Sequence, residues 1–369
     1  MSTAVTPPAH DEKDPQMIII GVDPHKTTHT ATVLEGATST ELGTLRITAS
    51  LEDYQRLLAW ADAWAPRQWA IENAEGLGHH LAQWLLAHGE EVLDVPPTAT
   101  ARFRSLSRGG RRKNDRIDAA AAAGSAAVHG DSRRVFPEGH ADALALLAER
   151  RQSLSQHRTR LLNQLHALLR ELVPGGAPRS LTATRAAQLL RRVRPISTAD
   201  RIRRQLARDL IAEVRHHDRL VATNTEQIQE LLSEQPTTLT EIVGIGPVLA
   251  ARILAGTGDP RRFPTAAAFA NYSGTAPIQI ASADHSRHRL SRYGNRDLNS
   301  AIHSVAIIQI RTRSSAGHAY YAKKRAEGKA PREAIRCLKR QLASTVWRTM
   351  IKDCSARSTQ VPETVALAA

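Results

Sequence analysis

An α/β N-terminal domain, a long helical stalk and a mainly α C-terminal domain are predicted for this chain on three observations. Apolar runs that read as strands alternate with helical patterns over residues 17 to 130. Leu147, Leu154, Leu161 and Leu168 then recur every seven residues. After Pro236 the chain carries a series of amphipathic helical patterns.

In the first segment, the run MIIIGVDPHKTTHTATVLE, residues 17–35, is apolar up to one acid, Asp23, and turns back as a second alternating run. A third run, Glu41 to Thr48, follows after a short connection, so three strands should form an antiparallel meander. The pattern then changes to a helix (Leu51 to Trp64), a strand (Gln68 to Glu72), a helix (Gly78 to His88), a strand (Glu91 to Val95) and a helix from Asp115. Such alternation implies parallel strands with crossovers. Three meandering strands followed by αβαβα is the layout of ribonuclease-H-like, or RuvC-like, domains. It would place Asp23 on the first strand, Glu72 at the end of the fourth, and Asp115 with Asp118 on the last helix.

Asp115 and Asp118 are three residues apart at a helix start, so both carboxylates lie on one side of its first turn. Four acids aimed at one spot repel unless a cation compensates them. Hard oxygen ligands suit Mg²⁺ or Mn²⁺, the ions of two-metal phosphoryl chemistry. Each acid alone also reads as a turn former or a helix-start acid; their order, D…E…D-x-x-D on strand, strand and helix, favours the site.

The chain has 369 residues, enough for two or three domains with cores of their own. Fifty basic residues stand against 36 acidic ones, a net charge of +14, and most of the basic residues are Arg, whose planar fork suits phosphate. Nucleic acid is the expected partner. Between the last strand and the last helix of the first domain lies RFRSLSRGGRRK, with Arg102, Arg104, Arg108, Arg111, Arg112 and Lys113. It reads as a loop that clamps a phosphate backbone, or as a solvated charge run.

Cys337 and Cys354 have no metal-ligand spacing, which fits a reducing cytoplasm. With a mean hydropathy of −0.35, the chain reads as soluble and carries no run suited to a membrane. Residues 1–16 read as a disordered leader without signal-peptide character, and residues 355–369 as a disordered tail. Between them the expected domains are 17–135, a helical coiled-coil linker at 140–235, and a C-terminal domain at 237–352.

In the linker, Leu144, Leu165 and Leu172 edge the leucine seam, but Arg151 and Arg158 occupy core positions of it. The helix stops at P-G-G-A-P, Pro174 to Pro178, and a second one carries Ile202, Leu206, Leu210, Val214, Val221, Ile228 and Leu231. The pair reads as an antiparallel hairpin within one chain or as a dimerisation element. In the last domain, V-G-I-G-P with Gly244 and Gly246 resembles the turn of helix-hairpin-helix modules, whose backbone N–H groups bind phosphate, and also plain capping grammar. A polar loop from Pro277 to Arg296 follows, crowded with Arg, His and Ser. A hydroxyl among guanidinium groups is placed to attack a phosphate.

With Asp23, Glu72, Asp115 and Asp118, the V-G-I-G-P motif and the loop G-T-A-P…R-H-R-L-S-R-Y-G-N-R-x-L-N all in order, the chain resembles the DEDD transposases of the insertion sequence one-ten family over Ile18 to Met350. The resemblance implies that the four acids bind Mg²⁺ and that a serine of the C-terminal loop forms a phosphoserine link to DNA. It also implies a coiled-coil-mediated dimer pairing into a tetramer, and an element-encoded guide RNA that bridges target and donor DNA. Where the family carries a Ser-Ser-Gly-like triplet this chain has Ala281-Ser282-Ala283, so Ser282 takes the nucleophile's place, with Ser286 and Ser291 as further hydroxyls. Arg287, Arg289, Arg292 and Arg296 would neutralise the phosphate. A metal-dependent endonuclease that activates water, and a non-catalytic nucleic-acid-binding protein, are the alternatives.

Overall fold

The computed structural model describes residues 17–36, 38–106, 114–128, 132–282, 285–290 and 294–360. The expected leader at 1–16 and the tail beyond 360 lie outside them. The chain divides into two compact units, Met1–Glu138 and Gly139–Ala369.

The first unit runs β1 (Ile18–Pro24), β2 (Thr28–Glu35), β3 (Glu41–Thr48), α1 (Leu51–Ala61), β4 (Arg67–Glu72), α2 (His79–Ala87), β5 (Val92–Val95), α3 (Pro97–Leu106), α4 (Asp115–Val128) and β6 (Arg133–Arg134). The strands form one sheet in the order β3-β2-β1-β4-β5-β6. β1, β2 and β3 pair antiparallel, while β4 lies parallel to β1 and β5 parallel to β4. This is the ribonuclease-H-like arrangement. β1 is buried along almost its whole length, as its unbroken apolar run requires of a central strand. On one face Ile20, Val22, Trp69 and Ile71 pack with Tyr54 and Leu57 of α1 and Leu81 and Leu85 of α2. On the other, Ile19, Ala70 and Leu93 meet Ala123 and Ala126 of α4.

Two elements depart from expectation. Arg102 and Arg104 belong to α3, not to a loop, because Pro97 occupies a helix start and the alanines and threonines behind it tolerate the turn. β6 adds a two-residue antiparallel edge too short to show a period.

In the second unit, α5 (His140–Leu172), α6 (Ala183–Arg192) and α7 (Thr198–Glu234) form the helical linker, followed by α8 (Pro247–Thr257), α9 (Ala266–Tyr272), β7 (Pro277–Ser282), β8 (His285–Leu290), α10 (Arg296–Arg311), α11 (Ala316–Ala326) and α12 (Pro331–Gln360). α5 and α7 pack along each other within the chain. Arg158 crosses to Asp218 at 2.5 Å and Arg151 donates to the Val221 carbonyl at 3.1 Å, so both arginines of the seam bond to α7. Leu144, Ile228 and Leu232 join one core with Ile245, Leu298, Val305 and Leu342, so the linker and the C-terminal helices share their packing. At the other end Leu165, Leu169, Leu190, Ile211 and Val214 form a separate cluster around α6.

Residues 355–360, expected in the tail, continue α12. Asp353 anchors this region by accepting from Thr237 Oγ1 at 2.8 Å and from Thr238 N at 3.0 Å. The expected polar loop after Pro277 is instead the hairpin β7–β8: Ile-Gln-Ile carries the two-residue period of a strand, while the polar run His-Ser-Arg-His-Arg-Leu shows none and takes its strand form from antiparallel pairing with β7. Among the described residues no helix is long and apolar enough to cross a membrane.

Candidate active site

Asp23 sits one residue before the end of β1, next to Val22, which pairs in register with Ile71; Glu72 follows Ile71 as the last residue of β4. Since Val22 and Ile71 share one core, alternation turns both acids toward the face that α4 covers. α4 can approach that face because residue 21 is glycine: a Cβ there would meet the Ala119 carbonyl oxygen at 2.0 Å and Ala123 N at 2.6 Å. Asp115 lies one helical turn before Ala119, which carries it toward the end of β1. The helix start is capped by Asn114, whose Oδ1 accepts from Ile117 N at 2.8 Å. Arg116 ties the same turn to β3 through Glu41 at 2.7 Å. Partial burial pushes the Glu41 carboxyl up, but hydrogen bonds from Arg116 and Thr44 hold it below its ordinary value.

The turn after β4 is held as firmly. Asn73, at φ +53°, takes the left-handed conformation directly after Glu72. Asp94 of β5 accepts from Ala74 N at 2.7 Å, and Asn73 N donates to the Val95 carbonyl at 3.0 Å. Glu72 therefore ends a strand whose exit has one path.

Of the four acids, the structure brings Asp23 and Asp115 together, and with them a residue the pattern reading passed over, His25. One ligand atom from each of the three lies within 4.8 Å of the other two. The imidazole stands between the carboxylates, Nδ1 3.6 Å from Asp23 Oδ1 and Nε2 3.7 Å from Asp115 Oδ1. Arg46 of β3 approaches Asp115 Oδ2 at 3.7 Å. Asp118 is buried and paired with Arg104 of α3. Glu72 and Asp118 do not join the 4.8 Å group. The like charges expected to repel thus have basic neighbours: His25 and Arg46 at Asp115, Arg104 at Asp118.

This donor set fits a hard divalent ion. Ligand atoms around an octahedral Mg²⁺ lie about 3 to 4 Å apart, and the three atoms here lie within 4.8 Å of one another, so a bound ion would draw them closer together. Two carboxylates with one imidazole suit Mn²⁺ as well.

The basic residues named from sequence are spread over both units. Arg102 is exposed on α3, and Arg104 is engaged with Asp118. Arg108, Arg111, Arg112, Lys113 and Arg292, with Ser291, lie outside the described residues. Arg287 and Arg289 occupy β8 opposite Ile280 and Ile278, while Ser282 ends β7 opposite His285. Ser286 stands opposite Ala281, and Arg296 opens α10, exposed. Gly244 has φ +90° and Gly246 caps α8, which begins at Pro247. A side chain at Gly244 would also press on Ile308 at 3.2 Å, so both conformation and space call for glycine there.

A ribonuclease-H-like sheet with carboxylates at the ends of its central strands and on the helix above them is a scaffold suited to metal-assisted phosphoryl transfer. Residues 20–174 match the DEDD transposase model of the IS110 type, and residues 237–322 match the transposase IS116/IS110/IS902 family. The chain belongs to this transposase family. It is 26% identical to the 44.8 kDa protein of insertion element IS116 from Streptomyces clavuligerus, over 91% of this chain and 95% of that one. It is 29% identical to the IS117 mini-circle protein of Streptomyces coelicolor, over 86% and 89%. Among solved structures, Thermus thermophilus RuvC bound to a Holliday junction substrate aligns at 15% identity and a TM-score of 0.26, covering 32% of this chain and 99% of that one.

Proposed function

We propose that this transposase is a serine recombinase assisted by a divalent metal, Mg²⁺ or Mn²⁺, held by Asp23, Glu72, Asp115 and Asp118. The observation that carries the reading is the convergence of Asp23 and Asp115 at the end of β1, within the segment that matches the DEDD transposase model. When bound, the ion supplies neutralising charge at the scissile phosphate. Ser282 Oγ attacks the phosphorus, its proton leaves, the phosphodiester bond to the adjoining nucleotide breaks, and the departing oxygen takes up a proton. The phosphoserine bond conserves the energy of the broken one, so attack by a hydroxyl of the exchanged strand reseals the DNA without ATP. Arg287, Arg289, Arg292 and Arg296 neutralise charge on the phosphate, and Gly244 and Gly246 present backbone N–H groups to the DNA backbone. The net charge of +14 supports a nucleic-acid-rich assembly. That assembly is a dimer pairing into a tetramer, with an element-encoded guide RNA directing target and donor choice.

The test is detection of a covalent protein–DNA species on denaturing gels, with Mg²⁺, element-end DNA and the flanking non-coding RNA. The adduct is expected from the wild type and from neither Ser282→Ala nor Asp115→Ala. Cleavage without adduct that survives Ser282→Ala and disappears in Asp115→Ala would refute the serine step and assign attack to water.

A further inference from the structure

Around α6 and the first half of α7 the chain is far more basic than its folding requires. From Arg179 to Arg219 there are eleven arginines against four acids, Asp200, Asp209, Glu213 and Asp218. Three of those acids are engaged elsewhere: Asp200 with Arg203 at 3.1 Å, Asp218 with Arg158 at 2.5 Å, and Asp209 with Gln205 at 2.9 Å. Arg191 of α6 and Arg204, Arg208 and Arg215 of α7 line a groove of about 340 Å³ whose apolar floor includes Leu190 and Ile211. Arg204, Arg208 and Arg215 follow helical spacing, so they form one stripe along α7.

Among the described residues none of these four guanidinium groups pairs with a carboxylate. Arg204 Nε is buried with no hydrogen-bond partner. A buried donor without an acceptor is destabilising, and four like charges around one recess repel. Core packing does not explain them either, because Leu190 and Ile211 already fill the cluster beneath. An anion in the recess would accept from Arg204 and offset the charge of the other three. A second copy docked by this face would set one arginine row against another, which the charge forbids.

We propose that this groove is a binding site for the phosphodiester backbone of nucleic acid, separate from the acidic site and from the β7–β8 hairpin. Arg204 to Arg215 rise about 16 Å along α7. Phosphates on one strand of a duplex rise about 3.4 Å per nucleotide, so the stripe spans several of them. An arginine fork offers paired donors to a phosphate, and the recess between the helices shields Arg204 from water, which strengthens the contact. The site reads no sequence; it adds affinity and fixes register.

The experiment uses the full chain and the triple variant R204Q/R208Q/R215Q, with a random-sequence DNA duplex and a single-stranded RNA as probes, titrated between about 50 and 200 mM salt. Three lost phosphate contacts lower the slope of log affinity against log salt by about 2.7 on duplex DNA and about 2.1 on single strands. Over that range the wild-type affinity then changes about 40-fold more than the variant's on DNA, or about 20-fold more on RNA. A loss confined to one probe names that nucleic acid as the occupant, and the corresponding lysine variant retains most of the affinity. Unchanged affinity and slope on both probes would overturn the proposal. So would a loss of equal size in the lysine variant together with a lowered unfolding temperature, which would mark the arginines as structural. The readout is binding and not cleavage, so the result is independent of the serine assignment.

Discussion

Gly21 is the position where one added methyl group should disable the acidic site without touching an acid. A Cβ at residue 21 would stand 2.0 Å from the Ala119 carbonyl oxygen, 2.6 Å from Ala123 N and 2.8 Å from Ala123 Cβ. The first of these falls about 1.5 Å short of ordinary van der Waals separation. Two of the three atoms are helix backbone, so no rotamer change relieves the contact and α4 must move as a body. Overpacking costs about 1 to 3 kcal/mol in general, and a clash against helix backbone belongs at the upper end. For a unit of this size about 3 kcal/mol lowers the unfolding temperature by about 10 °C. The same displacement carries Asp115 and Asp118 away from Asp23, and a misplacement of about 1 Å at a reacting centre costs roughly 100-fold in rate. The assay is thermal unfolding of Gly21→Ala beside its DNA-cleavage rate. An unfolding temperature within about 2 °C of the wild type, the range of a surface substitution, together with unchanged cleavage would refute the account of α4 resting on Gly21.

Three further outcomes are expected. Arg104→Ala leaves Asp118 buried without its cation and should cost about 3 kcal/mol in chemical denaturation, the low end for a buried pair because Arg104 is partly exposed, whereas adding Asp118→Asn should restore most of the loss. Burial holds the His29 imidazole below its ordinary value, and Nε2 lies 3.1 Å from the Tyr54 hydroxyl. The unfolded chain then binds a proton near pH 6.5 that the folded chain refuses, so stability should fall as pH drops below about 6.5. His29→Gln should flatten that part of the unfolding profile. Asn299 donates to the Ser273 and Gly274 carbonyls at 2.9 and 2.8 Å and accepts from the buried Lys339 at 2.6 Å. Asn299→Ala strands all three groups and should cost about 2 to 4 kcal/mol, with faster amide exchange across β7 and β8 as the local readout.

Much of the architecture is written in local patterns. β1, β2 and β3 declare themselves by runs of apolar residues with short polar connections, and α1, α2, α5 and α7 by helical spacing and caps such as Ser50 and Ser197. The order of those elements was enough to place Asp23 and Glu72 at strand ends and Asp115 at a helix start, because each position depends on neighbours a few residues away. What the tertiary structure decided depends on residues brought together from afar. The pairing of Arg104 with Asp118 joins two helices across a segment read as one loop. His25 enters the site only because the turn after Pro24 faces the start of α4, some ninety residues later in the chain. Gly21 carries no motif, and its role follows from the approach of a helix backbone that no local pattern announces. The arginine groove is the same case: α6 and α7 each show ordinary basic residues, and only their packing leaves four guanidinium groups around one recess with no acid among them.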